Sequence, residues 1–407
     1  MIIDNFAKNT IANEQVDLDA NALLAHHLLI TGATGSGKST SLLKLVESLQ
    51  SKQQATIILD PTGEYHDLAH SVQYKLGQNA NLDFSHFSAK EIADLLGDAK
   101  GTLVKQIDAA MTSLKIQKNV IQQPGLYQKV NQSQEVFQQQ QTALKMFGID
   151  YDANLLLDQV IQEFVVPLSD DRADYSLLGQ VLDYHNIKAH WLTLLAMKQA
   201  LQSPNLQYIF NRHDHHVAKQ TQTDLFYILK LFSEHQGQLT LVIDISALMV
   251  QGSQSRLVLS ILLRHLLVLR ATSAYRFPIT LFLDESHRFI PAEHENLTES
   301  GLFKLIREGR KYGLYVALST QSPLDLPAQL RGQFGSILIH QLNDSEELNC
   351  LVTPKVDDLL QYQRLQPGQC MLQLNGKHDM LHVNIMQPKT YHATASPLFK
   401  TQYTYED

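Results

Sequence analysis

Residues 28–40 read LLITGATGSGKST, an apolar run that meets a glycine-rich turn and ends in Gly-Lys-Ser-Thr. Gly32, Gly37, Lys38 and Ser39 satisfy the pattern G-x-x-x-x-G-K-[ST]. In this pattern backbone N–H groups cradle the phosphates of a nucleotide triphosphate, the lysine reaches the β- and γ-phosphates, and the hydroxyl ligates Mg²⁺. Gly32, Thr34, Gly35, Ser36 and Gly37 supply the cradle here. Lys38, Ser39 and Thr40 open a helix whose dipole adds to the attraction for anions. Helical spacing follows through Leu42, Leu43, Leu45, Val46 and Leu49, and a second strand-like run, TIILD, ends at Asp60. Strand, glycine loop, helix and strand in that order open a parallel α/β sheet.

The chain has 407 residues, room for one large or two moderate domains. Its 44% hydrophobic and 18% charged residues are ordinary for a soluble globular protein. A net charge of −8 argues against a protein that coats nucleic acid through overall charge, though not against a ring with a basic pore. Two cysteines, Cys350 and Cys370, provide no disulfide framework and no cysteine metal site, which fits a reducing compartment. The N-terminus lacks the apolar core of a signal peptide. The greasiest stretch, Leu257 to Leu269, is interrupted by Arg264 and His265 and is too short to span a bilayer. A cytoplasmic protein with no membrane partner is expected.

After Asp60 the α/β alternation stops. From about Ser88 to Glu234 apolar residues recur at helical spacing, with a break at Pro167 to Tyr175. The Gln138 to Gln141 run within it reads as a solvated helix face. Strand-like runs then return at Leu239–Ile245, Ile279–Glu285, Leu314–Gln321 and Ser336–Leu342, with helical patterns at Ser255–Thr272 and Leu302–Lys311. Cys370–Leu374 and Met380–Met386 flank Asn375-Gly376, a hairpin-turn dipeptide. The first 27 residues are mixed and too few for a domain of their own.

A phosphate loop that serves hydrolysis needs an acidic strand end. LFLDE supplies it: Asp284 to hold the metal shell and Glu285 to polarise the attacking water. The adjacent pair points to a motor-type ATPase rather than a simple kinase. Asp60, followed by Pro61, is a further acidic candidate. Gln321 ends the next strand, where a polar side chain can contact the γ-phosphate. Arg307, Arg310 and Lys311 cluster at a helix end just before that strand. Two readings of the cluster stay open: cations that complement a helix dipole, or an arginine finger reaching a neighbouring subunit's site. RHDHH at Arg212 to His216 has no further ligand nearby and is expected to be a solvated loop, not a metal site.

Together these residues resemble the HerA/FtsK group of P-loop motors, and within it the HerA-like ATPases. HHLLITGATGSGKST, LDPTGEY, VIDISAL, LFLDESHRFIP and REGRKYGLYVALSTQSPLDLP occur in the family's order and cover most of Leu28 to Met386. Thr62 stands where the hallmark D-P-H-G-E-Y has histidine. The resemblance implies a RecA-like P-loop NTPase core of mainly parallel sheet at 1–87 and 235–386, a helical insertion at 88–234, and a C-terminal arm at 387–407 that contacts a neighbouring subunit. It implies a hexameric ring with ATP and Mg²⁺ at subunit interfaces. Lys38, Ser39, Asp284 and Glu285 become the hydrolytic set, with Ser39 and Asp284 at the metal. Gln321 becomes the sensor, Arg310 the first choice for the trans-acting arginine and Arg307 the second, and Glu64 a support of the site.

One departure stands out. HerA translocases usually begin with a small β-barrel, and with 27 residues before the first core strand no such barrel is expected here. The chain resembles short HerA-like ATPases encoded beside nuclease or sirtuin-type effectors in prokaryotic anti-phage systems. The expectation is a ring-forming, Mg²⁺-ATP-hydrolysing motor that translocates double-stranded DNA with a nuclease or other effector. The alternative is a nucleotide-controlled scaffold that licenses an effector without processive translocation, which the net charge of −8 favours. A secretion or conjugation coupling ATPase ranks below both, because no membrane segment is found.

Overall fold

The computed structural model describes residues 1–146, 150–210, 222–234, 239–250, 253–290, 297–298, 300–352, 358–377 and 379–390. The Arg212–His216 cluster and most of the expected C-terminal arm lie outside the described residues. The described chain divides into two compact units, one of residues 1–75, 231–249 and 266–407, the other of residues 76–230 and 250–265.

The first unit is built on an eleven-stranded sheet. Its strands are β1 (Ile2–Asn9), β2 (Gln15–Asp19), β3 (Leu28–Thr31), β4 (Ala55–Asp60), β5 (Ser71–Lys75), β6 (Thr240–Asp244), β7 (Ile279–Leu283), β8 (Leu314–Thr320), β9 (Ser336–Ile339), β10 (Gln369–Gln373) and β11 (Leu381–Ile385). They lie in the order β2-β1-β11-β10-β9-β3-β8-β7-β4-β6-β5. Neighbours from β9 through β3, β8, β7, β4 and β6 to β5 run parallel, and neighbours from β9 to β2 run antiparallel. The α/β class with a mainly parallel sheet is as expected.

The central strands β3, β4, β7 and β9 are buried at every position. This is why they read as continuous apolar runs rather than as alternations: parallel strands covered on both faces see no water. Helix α1 (Lys38–Ser51) seals one face by burying Leu42, Leu43, Leu45, Val46 and Leu49. Fully burying a leucine side chain contributes about 1.5–3 kcal/mol, so this one face anchors the loop that precedes it.

Three strands were not anticipated. β1 lacks clean alternation because its pairing with β2 shifts between Ile3 and Ala7, where Asn5 takes φ 51°. Such a bulge puts two residues opposite one and breaks the period-2 pattern. β2 and β5 are edge strands with few buried side chains, so they carry little apolar signal. The 27 leading residues therefore extend the sheet beyond β11.

The second unit is mostly helical. Its helix Ala89–Leu95 opens with a capping box between Ser88 and Glu91. Helix Gln134–Leu144 carries the glutamine run and buries none of its residues, the solvated face anticipated for it. The break expected at Pro167–Tyr175 falls between the short antiparallel strands Val165–Val166 and Val181–Leu182. Residues 76–87 and 250–265 join this unit, whereas the sequence reading assigned them to the core. The long helix Ser253–Thr272 contributes residues to both units.

Candidate functional site

Parallel strands bring their C-terminal ends to one edge, and ligands of open α/β sheets bind in the crevice outside that edge. Register places the ends level: Thr31 of β3 lies opposite Thr320 of β8, Leu283 of β7 opposite Leu318 of β8 and Leu59 of β4, and Asp60 opposite Asp244 of β6. The glycine loop after β3, Asp60, Asp284 and Gln321 thus share an edge although Gly32 and Gln321 stand at opposite ends of most of the sequence.

The loop is set by backbone that only glycine adopts easily. Gly37 has φ +107°, and a Cβ there would lie 2.7 Å from the Gly368 amide nitrogen. A Cβ on Gly32 would lie 2.6 Å from the Cβ of His340. Two segments beyond β9 brace the loop from outside: the Ala33 N–H donates to the Gln341 carbonyl at 2.8 Å, and the Gly368 N–H to the Ser36 carbonyl at 3.0 Å. Beneath it, buried His340 accepts the Ser41 hydroxyl on Nε2 at 2.9 Å and donates from Nδ1 to the Gln369 carbonyl at 3.0 Å. The carbonyl can only accept, so the ring is the neutral Nδ1–H tautomer. Burial pushes its pKa down to about 4, and nearby Lys38 acts in the same sense.

Lys38 is only 6% exposed. Its ammonium donates to the Gly32 and Ala33 carbonyls at 2.8 and 3.1 Å. Burial lowers its pKa, against which Glu285 and Asp284 act to keep the charge. Ser39 donates to Asp284 Oδ2 at 3.1 Å. A serine hydroxyl and a carboxylate in contact form an oxygen pair of the type hard divalent cations take, so the donor set fits Mg²⁺. Thr40 sits half-buried in the first turn of α1.

Asp284 is buried and fully engaged. Its Oδ2 also accepts the Tyr65 hydroxyl at 2.9 Å, and its Oδ1 accepts the Glu285 N–H at 2.9 Å. Glu285 adopts φ 47°, a left-handed conformation that costs energy for a residue with a Cβ and so marks a constrained position. Its Oε2 accepts Gln321 Nε2 at 2.9 Å, with His287 at 3.6 Å and Arg288 at 3.9 Å. Gln321 Oε1 in turn accepts the Thr34 hydroxyl at 3.2 Å. A continuous chain thus runs from the phosphate loop through Gln321 to the carboxylate of Glu285.

Other anticipated residues take different places. Asp60 is buried and spends its carboxylate on its own turn, accepting the N–H groups of Thr62, Gly63 and Tyr65 and the Thr62 hydroxyl. Glu64 lies half-buried in that turn. Arg307 and Arg310 are not in this cluster. They line a cavity of about 550 Å³ with Pro278, Thr280 and Tyr315, at the N-terminal ends of β7 and β8, which is the opposite edge of the sheet. Arg310 Nη1 lies 2.8 Å from His26 Nδ1, onto which it can donate, and Arg307 lies over the Phe303 ring at 5.3 Å. Tyr65, His340 and Gly368 were not anticipated. Tyr65 stood inside a quoted motif, and His340 closes the apolar run SILI, a polar residue at a strand end like Asp60 and Gln321.

The model of the family described as "Helicase HerA, central domain" matches residues 9–266. The chain is 22% identical over 368 residues to the probable DNA double-strand break repair helicase HerA of Methanocaldococcus jannaschii, covering 82% of this chain and 65% of that protein. It therefore spans less than two thirds of that relative's length. Among solved structures, VirB4 of Thermoanaerobacter pseudethanolicus superposes with a TM-score of 0.62 at 13% identity, covering 94% of this chain and 96% of that one. The plasmid coupling protein TrwB in complex with ADP and Mg²⁺ superposes with a TM-score of 0.55 at 14% identity, covering 95% and 91%. At those identities the likeness is one of fold. No helix among the described residues is long and apolar enough to cross a membrane.

Proposed function

The chain belongs to the HerA central-domain family, and from that premise we propose that it is a Mg²⁺-dependent ATP hydrolase that assembles as a ring, a hexamer by family resemblance, and drives double-stranded DNA. The convergence of Lys38, Ser39, Asp284, Glu285 and Gln321 on one strand edge carries this reading. The loop N–H groups and Lys38 hold the phosphates, whose oxygens replace the Gly32 and Ala33 carbonyls as acceptors for the ammonium. Ser39 and Asp284 hold Mg²⁺, which when bound neutralises charge on the phosphates. Glu285 polarises the attacking water, and Gln321 couples the occupied phosphate loop to Glu285 through Thr34.

The placement of Arg307 and Arg310 at the opposite strand edge supports a role in trans. They cannot serve their own subunit's loop from there, whereas a ring presents one subunit's edge to the next. A trans-acting arginine is worth about 10³–10⁵ in rate in the systems that use one. The sheet-bearing residues act as motor core, the helical segment as an insertion, and residues 387–407 as an arm toward the neighbouring subunit. A separately encoded nuclease or sirtuin-type effector is the partner, in an anti-phage setting within the cytoplasm.

ATPase rate measured with and without linear duplex DNA, beside Glu285→Gln, tests this. DNA-stimulated hydrolysis that the substitution abolishes supports the motor. Hydrolysis indifferent to DNA favours the scaffold that licenses an effector, a reading the net charge of −8 already leans toward. No hydrolysis by the intact ring refutes the motor.

A further inference from the structure

The turn after β4 does something beyond closing a loop. Asp60 and Asp284 end adjacent parallel strands, with Leu59 and Leu283 in register, so two buried carboxylates stand side by side. Unpaired, they would repel and be costly to desolvate. Each instead has its own donors. Asp60 gathers the N–H groups of Thr62 at 3.1 Å, Gly63 at 2.8 Å and Tyr65 at 2.9 Å. Gly63, at φ +76°, lets the turn close over that carboxylate. The turn then delivers the Tyr65 hydroxyl to Asp284 Oδ2 at 2.9 Å.

Tyr65 is 2% exposed and packs in the core cluster that α1 covers. Packing alone would be served equally by phenylalanine, so the hydroxyl needs another reason. Two hydroxyls converge on Asp284 Oδ2, those of Ser39 and Tyr65. Ser39 belongs to the phosphate loop, while Tyr65 belongs to β4 and its turn. Tyr65 therefore fixes the orientation of Asp284 from a part of the sheet that binds no phosphate.

We propose that Tyr65 is a positioning residue for the cation: held by the Asp60-capped turn, its hydroxyl orients Asp284 so that Ser39 and Asp284 present their oxygens together. This rests on the reading of Ser39 and Asp284 as the Mg²⁺-holding pair. It also gives Asp60 a role, since that carboxylate shapes the turn rather than meeting the nucleotide. Partners that orient a metal's ligands typically change metal affinity by about 10–100-fold when removed.

The test uses Tyr65→Phe, which keeps the ring and removes one oxygen. Binding of a fluorescent ADP analogue to the full-length protein is titrated with Mg²⁺, beside the same measurement in EDTA and beside Asp284→Asn. Tyr65→Phe is expected to raise the Mg²⁺ concentration for half-maximal effect about tenfold, with affinity in EDTA within twofold of wild type. Unchanged EDTA affinity shows that the loop is folded, so the shift belongs to the cation. A Tyr65→Phe titration that overlays wild type while Asp284→Asn shifts overturns the inference and leaves the metal pair standing. If Asp284→Asn also overlays wild type, the metal pair itself is wrong and the inference falls with it. Weaker binding in EDTA matched by no added Mg²⁺ shift assigns Tyr65 to packing, which overturns the proposal as well.

Discussion

Two histidines of the sheet unit are buried in the neutral form, and this predicts a specific acid sensitivity. His340 lies under the phosphate loop. His27, just before β3, accepts the Val316 N–H on Nδ1 at 3.0 Å and donates from Nε2 to the Ile306 carbonyl at 2.7 Å. Burial holds each near a pKa of about 4, against 6.5 for an ordinary histidine. The unfolded chain therefore takes up a proton on each residue as pH drops below 6.5, while the folded chain does not until about pH 4. The stability these sites contribute is whole above pH 6.5 and drains away as pH falls toward 4. Between pH 7 and pH 5 the linkage amounts to about 2 kcal/mol per histidine.

His340→Gln isolates one share, because an amide can still accept from Ser41 and donate to the Gln369 carbonyl without titrating. The assay is thermal unfolding by far-ultraviolet circular dichroism at pH 7 and pH 5, in the same buffer and at fixed protein concentration. For a unit of this size about 2 kcal/mol corresponds to roughly 4–8 °C in midpoint. Wild type is expected to lose that much more than His340→Gln on acidification, while the variant keeps the share due to His27. Equal losses in the two proteins would refute the argument, since carboxylates and the other histidines are common to both and cancel in the difference.

Gly37→Ala forces a side chain into φ +107° and onto the Gly368 amide; the expected result is loss of nucleotide binding, read by fluorescence titration, in a chain whose circular dichroism is otherwise native. Arg270 is fully buried and donates to the carbonyls of Tyr312, Ser233 and Phe277. Arg270→Met should cost about 3 kcal/mol by leaving those acceptors unmet, measurable as a lower thermal midpoint with nucleotide affinity retained. Gln321→Leu removes the link between Thr34 and Glu285. It is expected to lower kcat for ATP by about 10²-fold with KM nearly unchanged in steady-state assays, and an equal rise in KM would point to simple nucleotide binding instead.

The phosphate loop and the acidic strand end were legible because their constraints are local. A glycine at φ +107° or a carboxylate straight after a buried strand leaves its mark within a few residues. The parallel core was legible for the same reason, as each strand is apolar along its whole length. Tyr65, His340 and Gly368 were missed because their contacts come from strand order, which no periodicity records. Tyr65 meets Asp284 across 219 positions and His340 meets Ser41 across 299. Both contacts exist only because the sheet sets β4 beside β7 and β9 beside β3.

The same topology bears on the arginine cluster, where the sequence left two readings open. Arg307 does lie in the last turn of helix Gly301–Glu308, where a cation complements the dipole. Arg310 lies in the 3-10 helix Gly309–Tyr312 that continues from it, and its guanidinium rests on the imidazole of His26 rather than on a carboxylate. Dipole complementation thus accounts for the positions of both arginines along the chain, and what sets Arg310 apart is its imidazole partner. A guanidinium held by an imidazole at the strand edge facing away from its own phosphate loop gives up little on moving to a phosphate. Arg310→Ala should therefore leave nucleotide affinity of the isolated subunit intact and depress hydrolysis only in the assembled ring. Mixing it with Lys38→Ala subunits decides the matter: recovered hydrolysis places the arginine and the loop on different subunits, and no recovery at any ratio refutes the trans assignment.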